Sequence, residues 1–318
     1  MSAFFRNALV YRLKTNWAID ADAINEQLAR MAFLPGTAVQ QQAQGWVASV
    51  ADGDLAHIVG GQVLLTLRTE KKLLPASVVT QFTKQRAAEI EERQGYKPGR
   101  RQMKEIKEQV TEELIPKAFS IFRDTRIWID PVNRWLLIDS TSTSRADEVI
   151  GALSKSLDDF PLDMLRLAHS PAQSMTTWLA TDEAPGGFTI DQDTELKDTG
   201  ESRAAVRYVR QSIEADAVRK HIDEGKQCTR LAMTWDDRIS FILTEPLAIK
   251  RIAPLDVIRE GEGDTSFDDA RQKFDSDFTL MAAELSRLLT DLVNALGGEQ
   301  AADGAAQAAQ AAPAARAA

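Results

Sequence analysis

Gly61-Gln62-Val63-Leu64-Leu65-Thr66-Leu67-Arg68 is the stretch on which the fold turns. Its aliphatic residues run consecutively rather than at helical spacing, and the run is too short for a helix. A short apolar run of this kind is expected for a strand buried on both faces. Toward the N-terminus, Phe4–Leu13 reads as a second strand, and Asp20 caps a helix carrying Ile24, Leu28 and Met31. Toward the C-terminus, Pro75 suits the first position of a helix that carries Val78, Val79, Phe82 and Ile90. Tyr96-Lys97-Pro98-Gly99 interrupts it, and a strongly charged helix follows to Leu114, with Met103, Ile106, Val110 and Leu114 as a narrow apolar stripe. Residues 75–118 therefore form a helical insertion, packed as an arm or a hairpin. Pro116 ends it.

Beyond the insertion, Arg126–Asp130 and Arg134–Asp139 read as strands joined around Pro131-Val132-Asn133. Ser144 and Asp147 suggest a capping box for a helix ending near Leu157. The second half repeats the style. Helices are expected over 172–181 and Glu214–Asp223, a strand over Ala204–Arg210, and a hairpin of Lys226–Trp235 with Arg238–Thr244 turning at Asp236-Asp237. A long helix from Ser266 to Leu296 carries Phe267, Phe274, Phe278, Met281, Leu285, Leu288, Leu289 and Leu292 as a core-facing stripe, stopped by Gly297-Gly298. The class is α/β, in the sense of mixed α+β sheets with helices. The expected units are a central α/β domain (1–74 with 119–165), the helical arm (75–118), a second α/β domain ending in the long helix (166–298), and a disordered Ala/Gln-rich tail (299–318).

Composition sets outer bounds. The chain has 318 residues, 44% hydrophobic and 27% charged, with one cysteine. A single cysteine excludes an internal disulfide framework and fits a reducing compartment. The first residues lack a signal-peptide core, and no apolar run nears the ~20 residues a membrane span needs. Cytoplasmic localisation is expected. The net charge of −9 is uneven: residues 84–126 hold 11 basic and 8 acidic side chains, 203–230 hold 7 and 4, and 255–300 hold 4 and 11. Two mildly basic regions are offset by an acidic C-terminal one.

The sequence offers no constellation for catalysis. His57, His169 and His221 lack metal-ligand spacing, and Asp191/Asp193 and Asp275/Asp277 are isolated carboxylate pairs. There is no phosphate loop, dinucleotide fingerprint or nucleophile elbow, and Cys228 sits in an apolar alternation that suits a buried thiol. No catalytic residue, metal or cofactor is expected. What remains is recognition chemistry. Residues 116–123 set Phe119 and Phe122 beside Lys117 and Arg123, and Arg207-Tyr208-Val209-Arg210-Gln211 alternates long polar side chains with apolar ones. On a strand, Arg203, Ala205, Arg207 and Val209 would share one face, and Tyr208 and Arg210 the other. Lys226, just past a helix end, suits either the helix dipole or a phosphate.

In these segments the chain resembles the recombination-associated protein RdgC family, from about residue 4 to 298. The likeness is carried by Asn7–Leu13, Met31-Ala32-Phe33 with Pro35, Gly45-Trp46-Val47, Lys71-Lys72-Leu73-Leu74-Pro75, Leu114–Ser120 and Trp128-Ile129-Asp130. The second half adds His221-Ile222 with Gly225-Lys226, Phe274–Phe278 and Leu296–Glu299. The resemblance implies a ring-shaped homodimer that binds duplex DNA without sequence preference through a basic hole, and single strands more weakly. It also implies a nucleoid-associated restraint on the RecA recombinase, with no cofactor and no membrane. Residue by residue, Phe119, Gln211 and Lys226 match family positions, and Arg210 stands where the family often has Lys. Lys117, Arg123 and Arg207 join them on local charge alone. Two other readings stay open: an adaptor that touches the recombinase through the acidic 264–277 stretch (Asp268, Asp269, Asp275), and a nuclease using Asp275 and Asp277.

Overall fold

The computed structural model describes residues 3–14, 17, 20–51, 53–200, 204–210, 215–260 and 270–300. Gln211 and the tail from residue 301 lie outside them, as do Asp268, Asp269 and the start of the C-terminal helix.

Along the chain run β1 (Asn7–Leu13), α1 (Ala21–Ala29), β2 (Gln42–Val47), β3 (His57–Val59), β4 (Gln62–Lys72), α2 (Ala76–Gln94), α3 (Arg100–Leu114), a 3-10 turn (Ile115–Lys117), β5 (Ser120–Asp130) and β6 (Trp135–Ile138). Next come α4 (Thr143–Ser156), β7 (Leu162–Asp163), α5 (Pro171–Thr181), β8 (Phe188–Asp198) and β9 (Ala205–Tyr208). The chain continues with α6 (Ala215–Asp223), β10 (Lys226–Trp235), β11 (Ile239–Thr244), β12 (Ala248–Pro254), α7 (Asp256–Glu260) and α8 (Ala270–Ala295). The strands form one antiparallel sheet in the order β2-β4-β5-β6-β1-β12-β11-β10-β8-β9, with β3 on β4 and β7 on β1. The first strand in the chain is thus the seam. It pairs with β6 on one side and β12 on the other, joining strands made before residue 140 to strands made after 185.

Side-chain alternation sorts the sheet into two faces. Leu9, Leu65, Leu67, Ile127, Ile129, Leu136, Ile138 and Ala248 are buried with α1 and α4. Ala8, Leu64, Trp128, Leu137, Leu231, Leu243 and Ile249 are buried on the other face, under α5 and α8. The long stripe on α8 is core, as its spacing predicts, with Phe278, Met281 and Leu288 fully buried. Helices α2 and α3 form a hairpin with its own small core of Val79, Ile106 and Val110, flanked by Ile90, Met103 and Leu114.

Asp20 caps α1, accepting from the amides of Asp22 and Ala23. Asp236 and Asp237 both adopt left-handed φ (48° and 50°), turning β10 into β11 as a mirror-image hairpin turn requires. Other expectations are corrected. Ser142, not Ser144, caps α4 by accepting from Arg145 N. Pro75 is the N-cap of α2 rather than its first residue, and β5 begins at Ser120, six residues earlier than expected. Strand β9 stops at Tyr208, because Arg210 turns left-handed at φ 52°, so the alternation that assigned Arg210 a strand face does not reach it.

Gly45 is required by a close approach. A Cβ there would lie 2.5 Å from Phe33 Cα and 2.6 Å from its nitrogen. Phe33 N donates to Trp46 O (2.9 Å) and Trp46 N to Met31 O (2.8 Å), so the two backbones are locked together. Gly45→Ala is expected to destabilise the fold by about 1–3 kcal/mol, the usual range for forced overpacking, read from urea denaturation. A loss under a few tenths would mean that the 31–33 segment yields freely.

Candidate nucleic-acid interface

Helix α4 covers one sheet face only as far as its first turn. Past Leu67 on β4 and Thr125 on β5 the same face continues uncovered with Thr69 and Lys71 opposite Arg123 and Ile121. The bare sheet and the start of α4 enclose a groove of about 530 Å³, whose charged lining is Lys71, Lys72, Arg123, Arg145 and one acid, Glu148. Lys71, Arg123 and Arg145 make no side-chain hydrogen bond or ion pair with any described residue. Phe119 stands on the lip. Its carbonyl accepts from Leu73 N at 2.7 Å, while its ring is 84% exposed. Lys117 is exposed in the turn just before it. On the opposite face, Phe122 meets Phe33 edge-on and Arg68 pairs with Asp124, so neither enters the groove.

The structure therefore brings three of the expected residues, Lys117, Phe119 and Arg123, to one region. It adds Lys71, Lys72 and Arg145, which no local pattern singled out. Lys71 and Lys72 stood out only as a pair of lysines ending a buried strand and as part of the Lys71–Pro75 segment that carries the family likeness.

The remaining expected residues lie across the sheet. Arg207 donates from Nε to Glu195 Oε2 at 3.0 Å and closely from Nη2, and Lys197 reaches the same carboxylate at 3.1 Å. Burial pushes the Glu195 carboxyl up, but Arg207 and Lys197 outweigh it and hold it below its ordinary range. Lys226 is 14% exposed and donates to Glu224 Oε2 at 2.7 Å, beside His221. That contact, with His221's, lowers the pKa of Glu224. A specific carboxylate, not only a helix end, thus accounts for Lys226.

Arg210 has a different setting. Its amide donates to Asp193 Oδ1 at 2.9 Å, and its side chain lines a shallow cavity of about 590 Å³ with Arg251, Asp191, Asp193, Ser240 and Ile242. Arg207, Arg230 and Arg251 surround an adjoining depression at Asp193. Register places this surface. Ile249 opposite Leu243 faces α8, so Ile242 and Ala232 face the other way, on the side of α1 and α4. Neither helix reaches this half of the sheet. Arg230 and Arg251 were not expected from the sequence, because only register and a left-handed Arg251 (φ 53°) bring them to Arg210. From β5 to β10 is five strand positions, about 24 Å. Two groups of cations therefore share one sheet face.

Other candidates resolve as structural. Cys228 is buried, and burial pushes its thiol up to about 11, which leaves it un-ionised and a poor nucleophile at neutral pH. Asp275 lies 2.8 Å from His57 Nε2. Two residues apart on α8, Asp275 and Asp277 point to different sides of the helix and do not converge on one ion. Among the described residues no group of three or more His, Cys, Asp or Glu is placed to hold a metal, and no helix is long and apolar enough to cross a membrane.

Residues 3–299 match the family model described as "RdgC: Putative exonuclease, RdgC". The chain belongs to the RdgC family. Relatives named "Recombination-associated protein RdgC" include one from Bordetella parapertussis, 59% identical over 298 residues (93% of this chain, 99% of the relative). Another from Cupriavidus necator is 58% identical over 299 residues (94% and 100%), and one from Herminiimonas arsenicoxydans is 58% identical over 298 (94% and 99%). The RdgC match thus spans the whole sheet, the helical hairpin and α8. The two descriptions differ in emphasis: the family model's carries an exonuclease, the relatives' names only an association with recombination.

Proposed function

We propose that this RdgC-family chain is a non-catalytic, sequence-independent DNA-binding protein. In this reading it works as a homodimer that closes into a ring around duplex DNA, and holds single strands more weakly. It acts in the cytoplasm at the nucleoid, restraining RecA-dependent recombination by occupying the duplex. The 75–118 hairpin, inserted in a central unit (1–74 with 119–165), serves as the arm that closes the ring, and 166–298 forms a second unit. A two-fold axis doubles every basic surface on the enclosed DNA, while acidic segments stay outside, so a chain with net charge −9 can still present a cationic channel.

The observation that carries this reading is the set of cations on one sheet face: Lys71, Arg123 and Arg145 in the groove, without side-chain partners among the described residues, and Arg210, Arg230 and Arg251 beyond it, beside Asp191 and Asp193. Well-buried carboxylates neutralise Arg126, Arg207, Arg238 and Arg287, through Asp139, Glu195 and Glu284. Cations left without one suit phosphate oxygens. Phe119 offers an exposed ring for packing against sugar or base, Lys117 and Gln211 extend the contact, and Arg207 and Lys226 join by exchanging a carboxylate for a phosphate.

The test is fluorescence anisotropy of two unrelated labelled duplexes, titrated across salt. Equal affinities that fall steeply with salt are expected, since phosphate contacts release counterions. A strong preference for one sequence, or no binding at low salt, overturns the reading. The family model's description motivates one further arm. Supercoiled and linear DNA incubated with Mg²⁺ or Mn²⁺ should stay intact, and strand loss from ends would establish an exonuclease instead.

A further inference from the structure

We infer that the groove between β4, β5 and the start of α4 is a binding site for a free nucleoside polyphosphate. Occupancy of the site does not depend on the DNA-binding reading; its consequence for the duplex, which would lose the same cations, does. The groove is concave, and its volume of about 530 Å³ lies within the roughly 300–1,000 Å³ of pockets that hold small ligands. Its lining divides into a cationic part and an apolar part, and the two adjoin.

The cationic part sets Lys71, Lys72, Arg123 and Arg145 against one acid, Glu148, a net charge of +3. Lys71 and Arg123 are diagonal neighbours on the ladder, about 7–8 Å apart at the backbone, so two long side chains can meet one polyphosphate chain. Arg145 joins them from the first turn of α4, where the helix dipole also favours an anion. The apolar part is the link from β4 to α2, Leu73-Leu74-Pro75, together with Ile121, which stands directly across the ladder from Lys71. Leu73 is 53% exposed and Ile121 41%. The link is held in shape, since Leu73 N donates to Phe119 O at 2.7 Å and Leu74 N to Lys72 O at 3.1 Å.

A duplex backbone accounts for the cations and not for the apolar wall. Its phosphates are neutralised by Lys and Arg and take nothing from an exposed aliphatic side chain. A nucleoside polyphosphate accounts for both. Its phosphates meet the cations, and the apolar face of its base covers Leu73 and Ile121, which removes their surface from water. Gln42, Thr69 and Ser144 also line the groove, and their side chains make no hydrogen bond with any described residue. They supply donors and acceptors for the edge of the base and the ribose hydroxyls, the few polar groups that orient a ligand in a site of this kind.

The test is calorimetric titration of the full chain, at fixed ionic strength, with ATP, GTP, inorganic tripolyphosphate and adenosine. At least one of the two nucleotides should bind about tenfold or more tightly than tripolyphosphate, because the base adds buried apolar surface to the same ionic contacts, and adenosine alone should not bind. Lys71→Gln with Arg145→Gln should abolish binding of nucleotide and tripolyphosphate alike. Leu73→Ser with Ile121→Ser, both at exposed positions, should bring the nucleotide down to the tripolyphosphate level and leave tripolyphosphate unchanged. The site is overturned if neither nucleotide binds, if tripolyphosphate binds as tightly as the nucleotides, or if either double variant binds nucleotide as the wild type does. A labelled duplex added to the wild type separates the two readings. Duplex binding without nucleotide binding overturns the nucleotide site and leaves the DNA reading standing. Nucleotide binding without duplex binding, or without displacement of a bound duplex, leaves the site standing and removes the duplex from the groove.

Discussion

Arg238→Ala is expected to remove about 3 kcal/mol of folding stability at neutral pH, the lower end of the cost of breaking a buried ion pair. Arg238 grips Glu284 with both arms, Nε to Oε2 at 2.8 Å and Nη2 to Oε1 at 2.7 Å. Glu284 sits within the buried stripe of α8 with its side chain 2% exposed, and Arg287 is its other partner. The pair ties α8 to the turn that opens β11. Without Arg238 the carboxylate stays buried with only the half-exposed Arg287, which is why the lower end of the range applies.

The same cluster gives the prediction a pH signature. Burial pushes the Glu284 carboxyl up, but Arg238 and Arg287 outweigh it and hold its pKa below the ordinary value. A carboxyl depressed in the folded state contributes stability that is complete above its unfolded pKa, about 4.3, and is lost as pH falls through the folded value. In Arg238→Ala the desolvation remains and its main opponent is gone, so protonating Glu284 relieves the variant. The gap between wild type and variant should narrow from pH 7 toward pH 4 in urea denaturation. A gap below about 1 kcal/mol that ignores pH would show that Arg287 alone satisfies the carboxylate.

Glu284 also marks the limit of what the sequence reveals. The apolar stripe of α8 is legible because Phe274, Phe278, Met281, Leu285, Leu288 and Leu292 repeat at helical spacing, and burial follows spacing. An acid inside that stripe breaks the pattern, and its partner lies 46 residues earlier, where no periodicity connects them. The strands divide likewise. Strand β4 and the Asp236-Asp237 turn are visible in local chemistry. Strand β8, Phe188-Thr-Ile-Asp-Gln-Asp-Thr-Glu-Leu-Lys-Asp198, carries too many charges to read as a strand, and the ladder with β10 imposes it. The role of β1 as seam follows from topology, which no single segment encodes.

The candidate interface divides the same way. Aromatic and basic residues beside Pro116 point to the Phe119 region, and they are contiguous. The groove is not. Lys71, Arg123 and Arg145 come from a strand, its neighbour in the ladder and a helix start, and only the register that sets Lys71 opposite Ile121 brings them together. Arg210 met the opposite fate: alternation assigned it a strand face, and one left-handed residue redirected it toward Arg251.

That contrast makes the groove the most decisive place to test DNA binding. Lys71→Gln, Arg123→Gln and Arg145→Gln together are expected to lower the salt slope by about three and duplex affinity at 0.1 M salt several hundredfold, since each phosphate contact contributes about 0.9 to the slope. The loss should be equal on unrelated duplexes, because phosphate contacts position the protein without reading sequence. Folding should be spared: none of the three makes a side-chain hydrogen bond or ion pair with a described residue, so no buried acid is orphaned. Arg207→Gln supplies the internal contrast. It strips Glu195 of a partner, so it should cost stability while changing the slope by less than one contact. If the groove variant keeps its slope while Arg207→Gln loses affinity, the duplex lies over the β8–β10 surface, and the cations of the groove serve another anion.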